Sequence, residues 1–519
     1  DLEIALTFPA DADGSSELAL PRDWFGTPRM YESVSAIKAL GSATLEATDE
    51  PWRRILTYDS TDRAGVRYVL SWDPAKSKGL AFSPSVDSEH FHFLGSQWMV
   101  RHSDGEQSYP ISIQFIGLPD DWSVISSFGF GSGPHQITSS YDDLTQTFIA
   151  GGRYRTDQFE VRGKPVAIAV YGDFDLPDAE IFDAVRRVVT LERERMQDFD
   201  QPFYAVCLTE RPRIRAGTSF LNAFVCLMTS DATREQLMLL LAHEMFHFWF
   251  PNAGEVVGTD RSQSSLRYEW LHEGFTEYFA RLILVESGLV SEDWLVEQFN
   301  DDLENLRINP SRDITYQELR RREDEGEFTN IEKKLSYYRG AILALNWDTR
   351  IQRMSNGSTT LFDVIREIVE KAAQSGGRMT EGEFNALMAR HGVDAARALQ
   401  RHVINGKPIR PDPEAFAPRY RLEERLIPSF EPGFDLIASW KAHEVVGVTR
   451  GGPAATAGLR DGMKIAAMRN AWRFSSSWRA DEPLTVIVHG QDGQREIAYW
   501  PKGPEVSVWA YVRDGEKSN

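Results

Sequence analysis

Cysteine is nearly absent. Cys207 and Cys226 are the two in 519 residues, which excludes a disulfide-stapled fold and a cysteine-based zinc cluster. Both lie in strand-like runs, "FYAVCLTE" and "LNAFVCLM". If those runs paired as a hairpin the thiols would come close. A disulfide directly across two paired strands is strained, so the expectation is two buried free thiols. Long apolar runs are also missing. The longest candidate, residues 237–250, is interrupted by His243, Glu244 and His247, so nothing reaches the length that spans a bilayer. Positive charge is in deficit: 57 Lys and Arg against 77 Asp and Glu give a formal net charge of −20. Such a surface repels phosphate backbones and anionic headgroups, which argues against a nucleic-acid partner. The excess acid keeps a large protein soluble and favours neutral or cationic ligands. No leader is visible and the chain opens at Asp1. The expectation is an exported protein, periplasmic or extracellular, with a cytoplasmic one as the alternative.

Large apolar groups are plentiful. Fourteen Trp and 29 Phe exclude a disordered chain, and the length suggests about three domains. Residues 1–165 read as strands: "DLEIALTF", "VRYVLSW", "YPISIQFIGL" and "FEVRGKPVAIAVYG" are β-rich or alternate, with turn residues between them. This predicts an all-β domain of sandwich type. His90, His92 and His102 within it are read as packing or surface histidines, since no carboxylates are spaced against them. Near residue 178 the period changes. "DAEIFDAVRRVVTLERERMQDF" carries apolar residues at three-and-four spacing and predicts an amphipathic helix. Two strands follow, then a helix whose start is marked by Thr233 and Gln236 as a capping box and whose end lies near Pro251 and Gly254. From 266 to about 405 the pattern is helical, with a second capping box at Thr380 and Glu383. "GKPIRPDPEAFAP", 406–418, reads as a linker, and strand-like runs return beyond it.

The chemistry centres on "LLAHEMFHFWFP", residues 240–251. His243 and His247 are four apart, so both leave one face of a helix and can reach one metal ion at about 2.0–2.1 Å each. Glu244 flanks that ion, where a carboxylate can take a proton from an attacking water. Composition alone produces the motif about once in fifty such chains. The competing reading is a core helix with satisfied histidines. Burying two histidines and a glutamate without a shared partner costs several kcal/mol, on the order of the penalty for unpaired polar groups, and a metal removes that cost. A third ligand is available in Glu273, in "WLHEGFTEYF", after the intervening residues 248–272.

"HEMFH" followed by "LHEGFTEY" resembles the gluzincin metallopeptidases, and within them the glycyl aminopeptidase family. The resemblance covers most of the chain. It implies a multidomain α+β protein: an N-terminal β-sandwich over 1–165, a thermolysin-like α/β plus helical catalytic domain over 166–415, and a PDZ-like domain over 416–519. It implies zinc held by His243, His247 and Glu273, with Glu244 as general base. Tyr337, in "SYYRG", matches the family tyrosine that precedes a glycine by three and stabilises the oxyanion; Tyr338 is the alternative. Glu277, one turn after Glu273, matches the carboxylate that supports a ligand histidine. The strand at 217–225 matches the edge that holds an extended substrate.

That strand is also where the pattern departs. Aminopeptidases of this kind carry a glutamate after a Gly pair, and it binds the substrate's free amine. Here "AGTSFLNAFV" offers Gly217, then Ser219 and Asn222 as the polar residues, and no acid. Glu210 is a possible stand-in. The family asparagine after Trp249 is displaced too, since the chain reads "FWFPN". The readings therefore stay open between an aminopeptidase-like zinc peptidase, an endopeptidase or narrow-specificity peptidase, and a catalytically idle peptide-binding scaffold. "VVGVTRGGPAATAGLRDGMKI" resembles the PDZ signature, with Met463 where an Asp is usual, which leaves a peptide ligand for that module open.

Overall fold

The computed structural model describes all residues except 24–26, 60–61, 74–75, 77–81, 103–106, 212–213, 221, 252–253, 258–264, 470–482, 491–492 and 516–519. It is a mixed α+β protein of two compact units, Asp1–Phe248 and Trp249–Asn519.

In the first unit the alternation read over the opening residues becomes strands. Leu2–Pro9 and Val34–Ala39 flank Arg63–Leu70 in an antiparallel sheet. Alternate residues such as Phe8, Val66, Tyr68 and Leu70 turn inward to a core shared with Phe91 and Phe93. β1 (His90–Leu94) pairs antiparallel with β2 (Phe148–Gly152) in a five-stranded sheet. His90, His92 and His102 are all buried, so they are packing rather than surface residues.

A second five-stranded sheet leads to the site. Its strands are β3 (Arg155–Val161), β4 (Lys164–Tyr171), β5 (Tyr204–Glu210), β6 (Ala216–Phe220) and β7 (Ala223–Met228), in the order β3-β4-β5-β7-β6. β4 and β5 run parallel, so the chain must cross over between them. α1 (Asp178–Met196), the amphipathic segment, makes that crossing. The two cysteine strands are parallel neighbours, not a hairpin; the hairpin is β6–β7. Cys207 stands opposite Val225 and Cys226 opposite Leu208, so the thiols leave opposite faces of the sheet. Both are free and buried, and burial pushes the Cys207 thiol up to about 12. α2 (Arg234–Phe246) then packs on β6 and β7 and against α1.

The second unit is helical first. Its main helices are α3 (Glu269–Glu286), α4 (Glu292–Ile308) and α5 (Asn330–Met354). Thr329 and Glu332 cap α5 reciprocally, and the Thr380–Glu383 box read from the sequence starts a later helix. α3 and α5 approach at two glycines. A Cβ on Gly274 would lie 2.3 Å from the Gly340 Cα, and one on Gly340 would lie 1.8 Å from the Trp270 carbonyl oxygen. The stretch read as a linker is packed: Phe416 lies edge-on to Tyr511 at 4.8 Å, and Asn346 Nδ2 donates to the Arg410 carbonyl at 2.9 Å. β8 (Tyr420–Phe430) and β9 (Lys502–Arg513) form a long antiparallel pair. Between them a small core gathers Val445, Leu459, Val486 and Ile497. Among the described residues no helix is long and apolar enough to cross a membrane.

Candidate metal centre

α2 begins where the sequence marks it. Thr233 Oγ1 accepts from the Gln236 amide at 3.3 Å, and Gln236 Oε1 accepts from the Thr233 amide at 3.2 Å. The helix runs to Phe246, and His247 closes it with its backbone still helical. His243 and His247 therefore sit one turn apart on one face. Their Nε2 atoms face each other at 3.1 Å, with the rings edge-on and their centroids 4.7 Å apart. Two imidazole nitrogens so close cannot both carry protons. Two lone pairs aimed at one point is the arrangement ligation requires, since tetrahedral bonds of 2.0–2.1 Å put donors about 3.3 Å apart. Glu273, on α3, completes the group: one donor atom from each of His243, His247 and Glu273 lies within 4.8 Å of the others. Two imidazoles and a carboxylate make three protein donors, the set that fits zinc and leaves a fourth position open.

Glu244 is held by the edge strand. A Cβ on Gly217 would come within 2.5 Å of the Glu244 carboxyl carbon and 2.7 Å of its Oε1, so a glycine is what lets β6 lie against that carboxylate. Ser219 Oγ donates to the Glu244 carbonyl. Gly217 and Ser219 thus meet the helix residue read as the general base. Asn222 is occupied elsewhere: its Nδ2 donates to the Ser127 carbonyl at 2.9 Å. The run 217–225, read as one edge strand, is divided between two: β6 ends at Phe220 and lies at the sheet edge, while β7 starts at Ala223 and is its inner neighbour. Leu221 and Asn252 lie outside the described residues. Glu210 accepts from the Asp173 amide at 2.8 Å.

The two candidate tyrosines separate by environment. Tyr338 is buried beside the Arg281 and Asp302 charges, and burial holds its hydroxyl proton on. Tyr337 is partly exposed, with Lys334 Nζ 4.2 Å from its ring centroid. Glu277 pairs with Arg281 at 3.0 Å, and Arg281 pairs with Asp302 at 2.6 Å. The two carboxylates pull the Arg281 guanidinium up.

Two carboxyls escaped the sequence reading. Glu269, one turn before Glu273, has an enclosed Oε2 with no hydrogen-bond partner. Burial, reinforced by the Glu273 charge and opposed by Lys333, pushes its carboxyl up to about 7. Glu192 on α1 is wholly buried and neither of its oxygens is hydrogen-bonded. Burial raises it well above the usual carboxylate range, and the His243 charge opposes that rise. A signal was present: Val185, Val189, Glu192 and Met196 repeat at four-three-four spacing, so the glutamate stands on the apolar face.

One comparison with known proteins falls on these residues. Residues 236–343 match the family model of the M61 glycyl aminopeptidases. The resemblance read from "HEMFH" and "LHEGFTEY" is borne out over that segment. Aminopeptidase N of Plutella xylostella is 25% identical over 171 residues, 28% of this chain; the chain matches 16% of that protein's length. An aminopeptidase N family protein from Idiomarina loihiensis superposes with a TM-score of 0.71 at 16% identity, over 99% of this chain and 95% of that one. An M1 zinc metallopeptidase from Deinococcus radiodurans aligns at a TM-score of 0.45 and 16% identity, over 79% and 91%. The Idiomarina likeness supports the mixed α+β architecture of the whole chain.

Proposed function

From a chain whose residues 236–343 carry the M61 glycyl aminopeptidase pattern, we propose a zinc-dependent metallopeptidase, aminopeptidase-like, that hydrolyses peptide bonds. The observation that carries this reading is the convergence of one donor atom each from His243, His247 and Glu273 within 4.8 Å. Zinc at this site would supply Lewis acidity towards the scissile carbonyl and acidify water towards a pKa of about 7. Glu244, pressed against Gly217, takes the proton of the attacking water and returns it to the leaving amine. Tyr337 donates a hydrogen bond to the developing oxyanion. β6 offers its outer edge to an extended peptide, which pairs with it through the backbone. Glu277, which the resemblance makes the support of a ligand histidine, is held by Arg281 at 3.0 Å.

The test is Glu244→Gln. The variant keeps its metal, measured by elemental analysis, and loses turnover about 10²–10⁴-fold, the range of general acid–base catalysis. An unchanged rate removes Glu244 from the mechanism. Chelation abolishes wild-type turnover and added zinc restores it; a chelator-indifferent or silent protein supports the idle-scaffold reading instead.

The endopeptidase alternative is favoured by one feature: β6, "AGTSF", carries no acid for a free amine. Comparing free with N-acetylated peptides decides it, since cleavage confined to free amines defeats the alternative. We also read 1–165 as a sandwich domain, 166–415 as the thermolysin-like peptidase and 416–519 as a PDZ-like module in an exported protein. The short Pro453–Ala457 helix after Gly452 supports the last module.

A further inference from the structure

The helix that carries Tyr337 also sets a charge against its ring. Along α5 the buried stripe runs through Ile331, Leu335, Tyr338 and Ile342, at four-three-four spacing. Lys334 and Tyr337 stand beside that stripe, three residues apart and each half-buried, so they are neighbours on one flank of the helix. The Lys334 Nζ lies 4.2 Å from the centroid of the Tyr337 ring. That is well inside the roughly 6 Å within which the negative face of an aromatic ring holds a cation. Among the described residues no carboxylate pairs with this ammonium, although Asp and Glu outnumber Lys and Arg by 77 to 57 in the chain. Its electrostatic partner is the ring.

We propose that Lys334 is a positioning residue for the oxyanion donor: its ammonium fixes the Tyr337 ring and strengthens the hydrogen bond that Tyr337 gives in the transition state. This rests on the reading of Tyr337 as that donor. The contact exists before substrate arrives, so the ring, and the hydroxyl it carries, is oriented in advance. The contact then tightens as the reaction proceeds. When the scissile carbonyl becomes tetrahedral, its oxygen gains negative charge and polarises the Tyr337 O–H towards itself. Electron density on the phenol rises, and a cation over the ring is attracted more strongly than in the resting enzyme. An interaction stronger in the transition state than in the ground state raises kcat rather than affinity. Lys334 exchanges no proton in this step and touches Tyr337, not the substrate.

Lys334→Met keeps the length of the side chain and removes its charge. At saturating substrate kcat falls about fivefold, the factor a half-buried cation–π contact supplies, while KM and zinc content stay at wild-type values. Lys334→Arg keeps a cation that stacks on aromatic faces and stays within about twofold of wild type. In a Tyr337→Phe background the Met substitution costs nothing further, because that ring no longer serves the oxyanion. The contact itself is read in metal-free protein. Reductive ¹³C-methylation labels lysines with their charge retained, and the ring current moves the Lys334 methyl signal upfield. The signal disappears in Lys334→Met and returns to the ordinary lysine position in Tyr337→Leu. Wild-type kcat in Lys334→Met, an equal loss from it in the Tyr337→Phe background, or an unshifted Lys334 signal overturns the role of Lys334 and leaves the peptidase reading standing. Wild-type turnover in Tyr337→Phe instead defeats the oxyanion assignment, and the role of Lys334 falls with it.

Discussion

Gly217 is the residue on which the general base leans. Any side chain there displaces the Glu244 carboxylate, because a Cβ would stand 2.2 Å from the Glu244 Cγ. Gly217→Ala is therefore expected to keep its metal and lose about 10²-fold in kcat, the effect of misplacing a catalytic group by roughly 1 Å. Parallel metal analysis and steady-state kinetics check this, and wild-type kcat in the variant would detach β6 from the positioning of Glu244. Glu269 gives a pH dependence. Its folded pKa is about 7 against 4.5 for an ordinary glutamate. The folded state thus binds this proton more tightly, and the associated stability is present below about 4.5 and lost as pH rises through about 7. The loss amounts to roughly 3 kcal/mol at 1.36 kcal/mol per unit. Glu269→Gln removes it, so urea unfolding at pH 5 and pH 8 shows a smaller fall for the variant than for the wild type. The sequence shows the spacing of His243, His247 and Glu273, because ligand geometry is written in helical periodicity. It hides Glu269, because a carboxyl one turn from a ligand is ordinary until its burial is known.

At the scale of elements, the crossing of α3 and α5 sets the relation between Glu273 and Tyr337. Both side chains ride on helices that touch at Gly274 and Gly340. The glycine three residues after Tyr337 is thus a packing requirement: its missing Cβ lets the Trp270 carbonyl come close. Gly340→Ala forces the helices apart. Overpacking of this kind costs about 1–3 kcal/mol, and the top of that range is expected because the obstruction is backbone, which has no rotamer to yield. Thermal unfolding measures the cost. The accompanying loss of turnover at saturating zinc separates a moved Tyr337 from simple instability. Helices and caps were legible from spacing: Thr233 with Gln236 and Thr380 with Glu383 stand where the capping boxes predicted. Strand pairing was less so. Short apolar runs around Cys207 and Cys226 carry no mark of parallel or antiparallel pairing, which is decided by the crossover through α1.

For the molecule as a whole, the division at Phe248 and Trp249 falls inside the aromatic run "HFWF". Pro251 and Gly254 just beyond it mark a helix end but not a boundary between units, because compact units are defined by long-range packing, which local composition does not encode. Net charge, by contrast, is fully legible and has a consequence for substrates. At −20 the surface potential attracts cationic peptides and repels anionic ones over distances set by salt. The screening length is about 10 Å at 0.1 M ionic strength and about 3 Å at 1 M. Two peptides identical except for a Lys or a Glu remote from the scissile bond should differ about tenfold in kcat/KM at low salt, in favour of Lys, within the 10–10³ range of electrostatic steering. Raising the ionic strength to 1 M should bring the ratio towards one while leaving kcat for each peptide nearly constant, because the field acts on encounter rather than on the chemical step. A ratio that persists at high salt would place the discrimination in a direct contact beside the metal ligands instead of in the field of the molecule.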